Sequence, residues 1–221
     1  MDKIRIFACY SSKDKVFAGR LKYLFESCTG FEVFLAHDDL NYSEDFIKGI
    51  RKALQRSDIL LALISKNFLV SSFANQEVGI SLGVGRRIIP VSIDGTYPDG
   101  FLKNVHTCSC RDRSDDDEIL KVINEIFSLF IQHPKFKSYL QRVLDCLVNS
   151  LKDSDSWKTT SRIISMILLT DKIAFSKEQI EVIIDAIKSN HEVYKAGWVL
   201  PKLLLFLKNK YNVEVDVPSK I

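Results

Sequence analysis

One acidic residue lies where an α/β protein is expected to bind a ligand. Glu77 follows Phe73 by four residues, so on a helix the carboxylate lies one turn after the aromatic ring. The stretch 71–79 separates two apolar runs, residues 58–65 and 87–93, which is typical of a strand–helix–strand unit in a parallel sheet. Ser71 or Ser72 is suited to cap the helix. Open α/β sheets bind ligands at the end where their strands lead into helices. A single Glu on such a helix is nevertheless more often a solvated acid.

The elements around this helix alternate between strands and helices over residues 1–132. Helices are indicated by apolar residues at helical spacing, such as Phe17, Leu21 and Leu24. Alternation of this kind predicts an α/β fold, a doubly wound parallel sheet of five strands. The predicted strands are residues 3–9, 31–36, 59–64, 88–93 and 105–108.

From residue 133 the pattern becomes helical throughout. Ser176 and Gln179 form a capping box before an apolar helix. Pro201 is expected to kink or break the last helix, near residues 194–207. The chain is therefore predicted to contain an α/β domain at 1–132 and a small all-α domain of about four helices at 133–221.

Composition excludes several classes of function. The net charge of +3 comes from 31 basic and 28 acidic residues that are well mixed, so neither nucleic acid nor a membrane is expected as a partner. The first residues are too polar for a signal peptide, and no apolar stretch approaches the length of a membrane span. The five cysteines are scattered, and Cys108-Ser109-Cys110 has no second pair to complete a metal site. A cytoplasmic protein with reduced thiols and no bound metal is expected.

Residues 1 to about 132 resemble a TIR (Toll/interleukin-1 receptor) domain of the bacterial and archaeal kind. The matching blocks follow the family's order, and one departure is Phe73, where the family usually has Trp. Phenylalanine keeps the aromatic face but loses the indole N–H donor. The blocks are residues 6–14 (IFACYSSKD), 33–40 (VFLAHDDL), 58–68 (DILLALIS followed by Asn67-Phe68), 71–77 (SSFANQE) and 87–91 (RIIPV).

The resemblance implies a flavodoxin-like fold and, in many members, cleavage of NAD⁺ at the bond between nicotinamide and ribose. Glu77 takes the position of the catalytic glutamate, which would stabilise positive charge on the ribose. NAD⁺ is then the substrate, and no cofactor is expected. Two adjacent acids, Asp38 and Asp39, are a poor metal site. The predicted substrate contacts are Phe73, Tyr10, Ser11, His37, Asp38 and Ser43, although Tyr10 could simply pack and Ser11 could only cap a helix.

The expected function is that of an NAD⁺ glycohydrolase or ADP-ribosyl cyclase, activated when TIR domains self-associate. Hydrolysis and cyclisation are not distinguished by these residues. The resemblance implies a role in antiviral defence or nucleotide signalling, and an effector or sensor protein is a candidate partner. The alternative is a non-catalytic scaffold that joins TIR domains, and a nucleoside or deoxynucleotide transferase is a third hypothesis.

Overall fold

A computed structural model describes residues 2–35 and 45–217. It confirms the predicted parallel sheet of five strands, in the order β2-β1-β3-β4-β5, with every neighbouring pair parallel. All six residues of β3 are buried, because strands on both sides and helices on both faces cover it. The strands are β1 (Arg5–Cys9), β2 (Glu32–Leu35), β3 (Ile59–Ile64), β4 (Arg87–Ser92) and β5 (Cys108–Ser109).

Helices connect β1 to β2, β2 to β3 and β3 to β4 in the predicted order, whereas a 3₁₀ turn lies between β4 and β5. Short 3₁₀ turns at Ser12–Asp14 and Gly100–Leu102 complete this part of the chain. The strand prediction was least accurate for β5, which was expected at residues 105–108 and has only two residues. The helices are α1 (Lys15–Thr29), α2 (Asp45–Arg56), α3 (Lys66–Leu69), α4 (Ser72–Gly83) and α5 (Asp116–Gln132).

One face of the sheet carries the core that holds α4. Side chains alternate along a strand, so Phe7 and Cys9 lie on the same face of β1. They belong to a buried cluster that also contains Ala74 and Val78 of α4. Burying these two residues fixes which side of α4 points at the sheet, and Glu77 lies on that side of the helix as well.

The later part of the chain is helical, as predicted. The Ser176–Gln179 capping box is present at the start of α8. The predicted last helix is interrupted, because α9 ends at Lys195 and α10 begins at Leu200. Pro201 lies in the first turn of α10, where no helical hydrogen bond requires its missing N–H. Five helices are found among the described residues, where about four were expected. They are α6 (Leu140–Asp153), α7 (Trp157–Leu169), α8 (Lys177–Ser189), α9 (His191–Lys195) and α10 (Leu200–Tyr211).

The chain divides into two compact units. The sheet unit consists of residues 4–26 and 31–127, and the helical unit contains residues 27–30 together with those from 128 onward. The division therefore lies within α5, five residues before the predicted boundary at 132. That residues 133–221 form a domain of their own stays a prediction. No helix in the described ranges combines the length and the apolar character needed to cross a membrane.

Candidate functional site

Two serine caps precede the helix that carries Glu77. Strand β3 ends at Ile64, and Ser65 caps the short helix α3 by accepting a hydrogen bond from the Phe68 N–H at 3.0 Å. Of the two predicted caps, Ser71 and Ser72, it is Ser71 that caps α4 and accepts from the Ala74 N–H at 3.3 Å. These two caps fix where α4 begins, and so they fix the height of Glu77 above the sheet.

Glu77 is a buried carboxylate, with 6% of the residue exposed. Burial raises its pKa from 4.5 to about 7, because a charged carboxylate loses most of its hydration there. A hydrogen bond from the Cys9 thiol acts in the opposite direction but is the smaller effect. The reading of Glu77 as a solvated helix acid is therefore wrong.

Cys9, the last residue of β1, links the first strand to α4. Its sulfur lies 3.3 Å from the carbonyl oxygen of Ala74. The thiol also hydrogen-bonds Glu77, and it carries one hydrogen, so it donates to one of these acceptors at a time. Burial, and next the charge of Glu77, raise the pKa of Cys9 well above its usual value, which keeps the thiol protonated as a donor.

Phe73 lies one turn before Glu77 on α4 and is 46% exposed. Ala74, the next residue, is fully buried, so the helix turns its aromatic residue outward while it turns the carboxylate inward. An exposed ring beside a buried acid is available to a ligand or to another protein. Its predicted role at the substrate is thus compatible with its position but is not tested by it.

The remaining predicted contacts divide into two groups. Tyr10 and Ser11 directly follow β1 and are both buried. Their burial fits a packing role as well as a binding role, so their contact with a substrate stays a prediction. The other three predicted residues, His37, Asp38 and Ser43, lie outside the described residues.

Asp14 has a structural role that the sequence did not reveal. It is 2% exposed and accepts hydrogen bonds from Ser65 at 2.6 Å, Asn67 at 3.4 Å and Arg113 at 2.9 Å. Asp14 itself follows β1, whereas Ser65 and Asn67 follow β3 and Arg113 follows β5. One carboxylate therefore joins three strand ends at the carboxyl edge of the sheet. The Ser-x-x-Asp turn at residues 11–14 was its only sequence signal.

A second acid, Asp94, lies at the same edge after β4. It accepts hydrogen bonds from the backbone N–H groups of Lys66 and Thr96 at 3.1 and 3.0 Å, and its pKa is lowered although partial burial opposes that shift. Asp14 and Asp94 both line a pocket of about 620 Å³, whose walls also carry Arg20, Arg111 and Arg113. Glu77 and Phe73 are not part of that lining.

The arrangement at Glu77 can perform proton transfer or stabilise a cation. A carboxyl group with a pKa near 7 exchanges between its two forms close to neutral pH. In its ionised form it is a fixed negative charge in surroundings poor in water, where its interaction with a positive charge is strong.

One family model and one solved structure are similar to part of this chain. A family model described as "TIR domain" matches residues 6–123. The crystal structure of the TIR domain of the Toll-related receptor TRR-2, from the lower metazoan Hydra magnipapillata, is similar over 55% of this chain and 95% of that chain, with 16% identity and a TM-score of 0.46. No curated protein matches the chain. Since the family match covers more than half of its residues, this chain belongs to the TIR domain family.

Proposed function

We propose that this protein cleaves NAD⁺ at the bond between nicotinamide and ribose, with Glu77 as the catalytic residue. One observation carries the proposal, namely the buried carboxylate of Glu77 with a pKa of about 7, in the block that resembles the family's catalytic motif. Within residues 2–35 and 45–217, no basic side chain contributes to the pKa of Glu77, and burying an acid without such a partner costs free energy. Such a cost is common where the acid performs chemistry.

The proposed chemistry begins with loss of nicotinamide. The C1′–N bond breaks, the electron pair leaves with the neutral nicotinamide, and positive charge develops on the ribose. The Glu77 carboxylate stabilises that charge and accepts hydrogen bonds from the ribose hydroxyl groups. Water then attacks C1′ and releases a proton, which gives ADP-ribose. If a base nitrogen of the adenine attacks instead, a cyclic product forms, and neither cofactor nor metal is required for either route.

The other predicted residues would surround the substrate. Phe73 would provide an apolar wall beside the nicotinamide or the ribose and exclude water there. Tyr10 and Ser11 would contact the nucleotide from the end of β1. His37, Asp38 and Ser43 would act from the loop after β2.

Assembly is part of the proposal, because TIR domains commonly associate with one another. The surface next to the site is suited to it, since Val70, Phe73, Ile80 and Val84 are exposed apolar residues on α4 or at its ends. A second copy that covers them would bury Phe73 and remove water from the ribose. A role in antiviral defence, through loss of NAD⁺ or a nucleotide signal to an effector protein, stays a prediction.

The same exposed surface also supports the alternative function, a scaffold that binds other TIR domains without catalysis. Phe73 favours this alternative, because it lacks the N–H donor of the tryptophan usual in the family. The two functions differ in whether Glu77 changes a substrate, and a measurement of products separates them.

The test is incubation of the full chain with NAD⁺ at high protein concentration, with products resolved by chromatography and mass spectrometry. The wild type should release nicotinamide, and Glu77→Gln should release none while it stays folded. Glu181→Gln, an exposed acid on α8, is the matched control and should keep full activity. If the wild type consumes no NAD⁺ even when it is assembled, the scaffold function replaces the enzyme.

A further inference from the structure

Three side chains of the sheet unit converge beside β5. They are His106, Cys108 and Glu125, and their nitrogen, sulfur and carboxylate oxygen atoms all lie within 4.8 Å of one another. His106 Nε2 lies 2.9 Å from a carboxylate oxygen of Glu125. These residue types are metal ligands, and none of them belongs to the site around Glu77.

The fold explains why these three meet. His106 lies two residues before Cys108, in the segment that leads into β5, and a spacing of two puts side chains on one side of an extended chain. Cys108 is held in register with Val91 of β4 and is fully buried. Glu125 is on α5, the helix that follows β5. The sulfur is therefore fixed, whereas the exposed imidazole and the half-buried carboxylate can move.

The separations fit a zinc ion. Zinc binds nitrogen, oxygen and sulfur at about 2.0–2.3 Å in tetrahedral geometry, so its ligand atoms lie roughly 3.5 Å apart. The separations here run from 2.9 Å to at most 4.8 Å, on either side of that value. Side-chain movements of about 1 Å would bring the three atoms to zinc distances. Thiolate and imidazole ligands favour zinc over magnesium or calcium, which prefer oxygen.

We propose that His106, Cys108 and Glu125 bind one Zn²⁺ ion, with water in the fourth position. When the ion binds, the thiol releases its proton to solvent and the sulfur takes its place as a ligand. The ion ties the two-residue strand β5 to α5, at an edge of the sheet where few backbone hydrogen bonds hold the strand. This proposal does not depend on cleavage of NAD⁺.

The competing interpretation is a hydrogen-bonded group with no ion. Burial, and next the charge of Glu125, raise the pKa of the Cys108 thiol to about 12, so without a metal the thiol stays protonated and hydrogen-bonds Glu125. Glu125 also pairs with His106, which makes a chain of three groups. The two interpretations differ in whether the sulfur becomes a metal ligand, which spectroscopy reports directly.

The test uses the untagged full chain after treatment with a chelator. Co²⁺, which takes zinc sites, is added to the protein and absorption spectra are recorded. The expected result is one equivalent bound, with a thiolate-to-cobalt charge-transfer band and the ligand-field bands of a tetrahedral ion. Zn²⁺ should displace the Co²⁺ and raise the temperature of unfolding.

Variants of the three proposed ligands distinguish a specific metal site from nonspecific metal binding elsewhere on the protein. Cys108→Ser should abolish the charge-transfer band, and Glu125→Gln and His106→Asn should each weaken Zn²⁺ binding at least tenfold. His106 is exposed, so its variant stays folded even if the others do not. Cys110→Ser is the control, since this buried cysteine lies two residues away and outside the group. Absence of the charge-transfer band in the wild type, or its survival in Cys108→Ser, overturns the proposal.

Discussion

The thiol of Cys9 lies 3.3 Å from the Ala74 carbonyl oxygen and also hydrogen-bonds Glu77, so the end of β1 shares one buried contact with α4. Ala74 and Glu77 follow Cys9 by 65 and 68 positions in the chain, and the parallel sheet brings them to it. The contact lowers the pKa of the proposed catalytic residue, although burial raises it by more. A donor stabilises the ionised carboxylate, while burial favours the neutral acid.

The first prediction concerns the pH dependence of activity. Because Glu77 acts in its ionised form and its pKa is about 7, kcat/KM for NAD⁺ should rise about tenfold per pH unit below pH 7 and level off above it. Cys9→Ala removes a donor to the carboxylate, so its profile should move to higher pH. Kinetics from pH 5 to 9 measure both profiles.

Carboxyl-carbon NMR of labelled glutamate checks the same titration without substrate. Cys146→Ala, at a buried thiol of the helical unit, is the control and should leave the profile unchanged. A shift to lower pH in Cys9→Ala would contradict the assigned donor.

The second prediction concerns stability. The pKa of Glu77 is near 7 in the folded protein and 4.5 in a model peptide, so the folded state binds the proton more tightly. The folded wild type therefore loses stability as pH rises from about 4.5 to 7, by roughly 3 kcal/mol in total. Glu77→Gln removes this loss. Between pH 5 and 8 its free energy of unfolding should improve relative to the wild type by roughly 2–3 kcal/mol.

Denaturant titrations at both pH values measure this difference, and Glu181→Gln should show none of it. If Glu77→Gln loses activity while its stability relative to the wild type rises with pH, Glu77 has a chemical role and is not needed to hold the fold. If both proteins change in parallel with pH, the folded-state pKa of Glu77 is not raised.

The third prediction concerns Asp14, which joins three strand ends. Asp14→Ala leaves Ser65, Asn67 and Arg113 without their acceptor and should lower the free energy of unfolding by about 2–3 kcal/mol. Asp14→Asn keeps one oxygen acceptor and should cost less, about 1–2 kcal/mol. Arg113 is partly exposed, so water can hydrate it and limit the loss.

Glu32→Gln is the control for Asp14, because it breaks an exposed ion pair with Arg5 at 3.4 Å. Its cost should stay within about 1 kcal/mol. Equal losses in the two variants, measured by denaturant unfolding, would show that the network around Asp14 does not hold the sheet edge.

The fourth prediction compares two glycines with the same backbone conformation. Gly30 and Gly85 have φ angles of +70° and +69°. A Cβ at Gly30 would lie 2.7 Å from the carbonyl oxygen of Cys146, whereas at Gly85 it would meet nothing within 4 Å. Gly30→Ala should therefore cost about 2–4 kcal/mol, and Gly85→Ala only about 1 kcal/mol for the left-handed backbone.

Thermal unfolding followed by circular dichroism measures both variants. Similar shifts in their midpoints would mean that a small movement of α6 relieves the close approach of a Cβ at residue 30 to the Cys146 carbonyl oxygen. A larger shift for Gly85→Ala would contradict the assigned packing.

Local signals in the sequence predicted most of the elements. Strand β3 is found where it was expected, because a short apolar run between turns is typical of a buried strand and is too short for most helices. The Ser71 cap and the Ser176–Gln179 capping box were also predicted, since caps depend on residues three positions apart. Strand β5 was placed too early, because its two residues are defined by pairing with β4 and not by a pattern of their own.

The sequence by itself determined the family, the order of strands and helices and the position of Glu77. The tertiary structure decided the properties of that residue, because its burial depends on a strand that ends at Cys9, far away in the chain. It also decided that Asp14 holds Ser65 and Arg113, which are 51 and 99 positions away. Parallel strands bring their carboxyl ends to one edge whatever their distance in sequence, so contacts at that edge leave no local pattern to read.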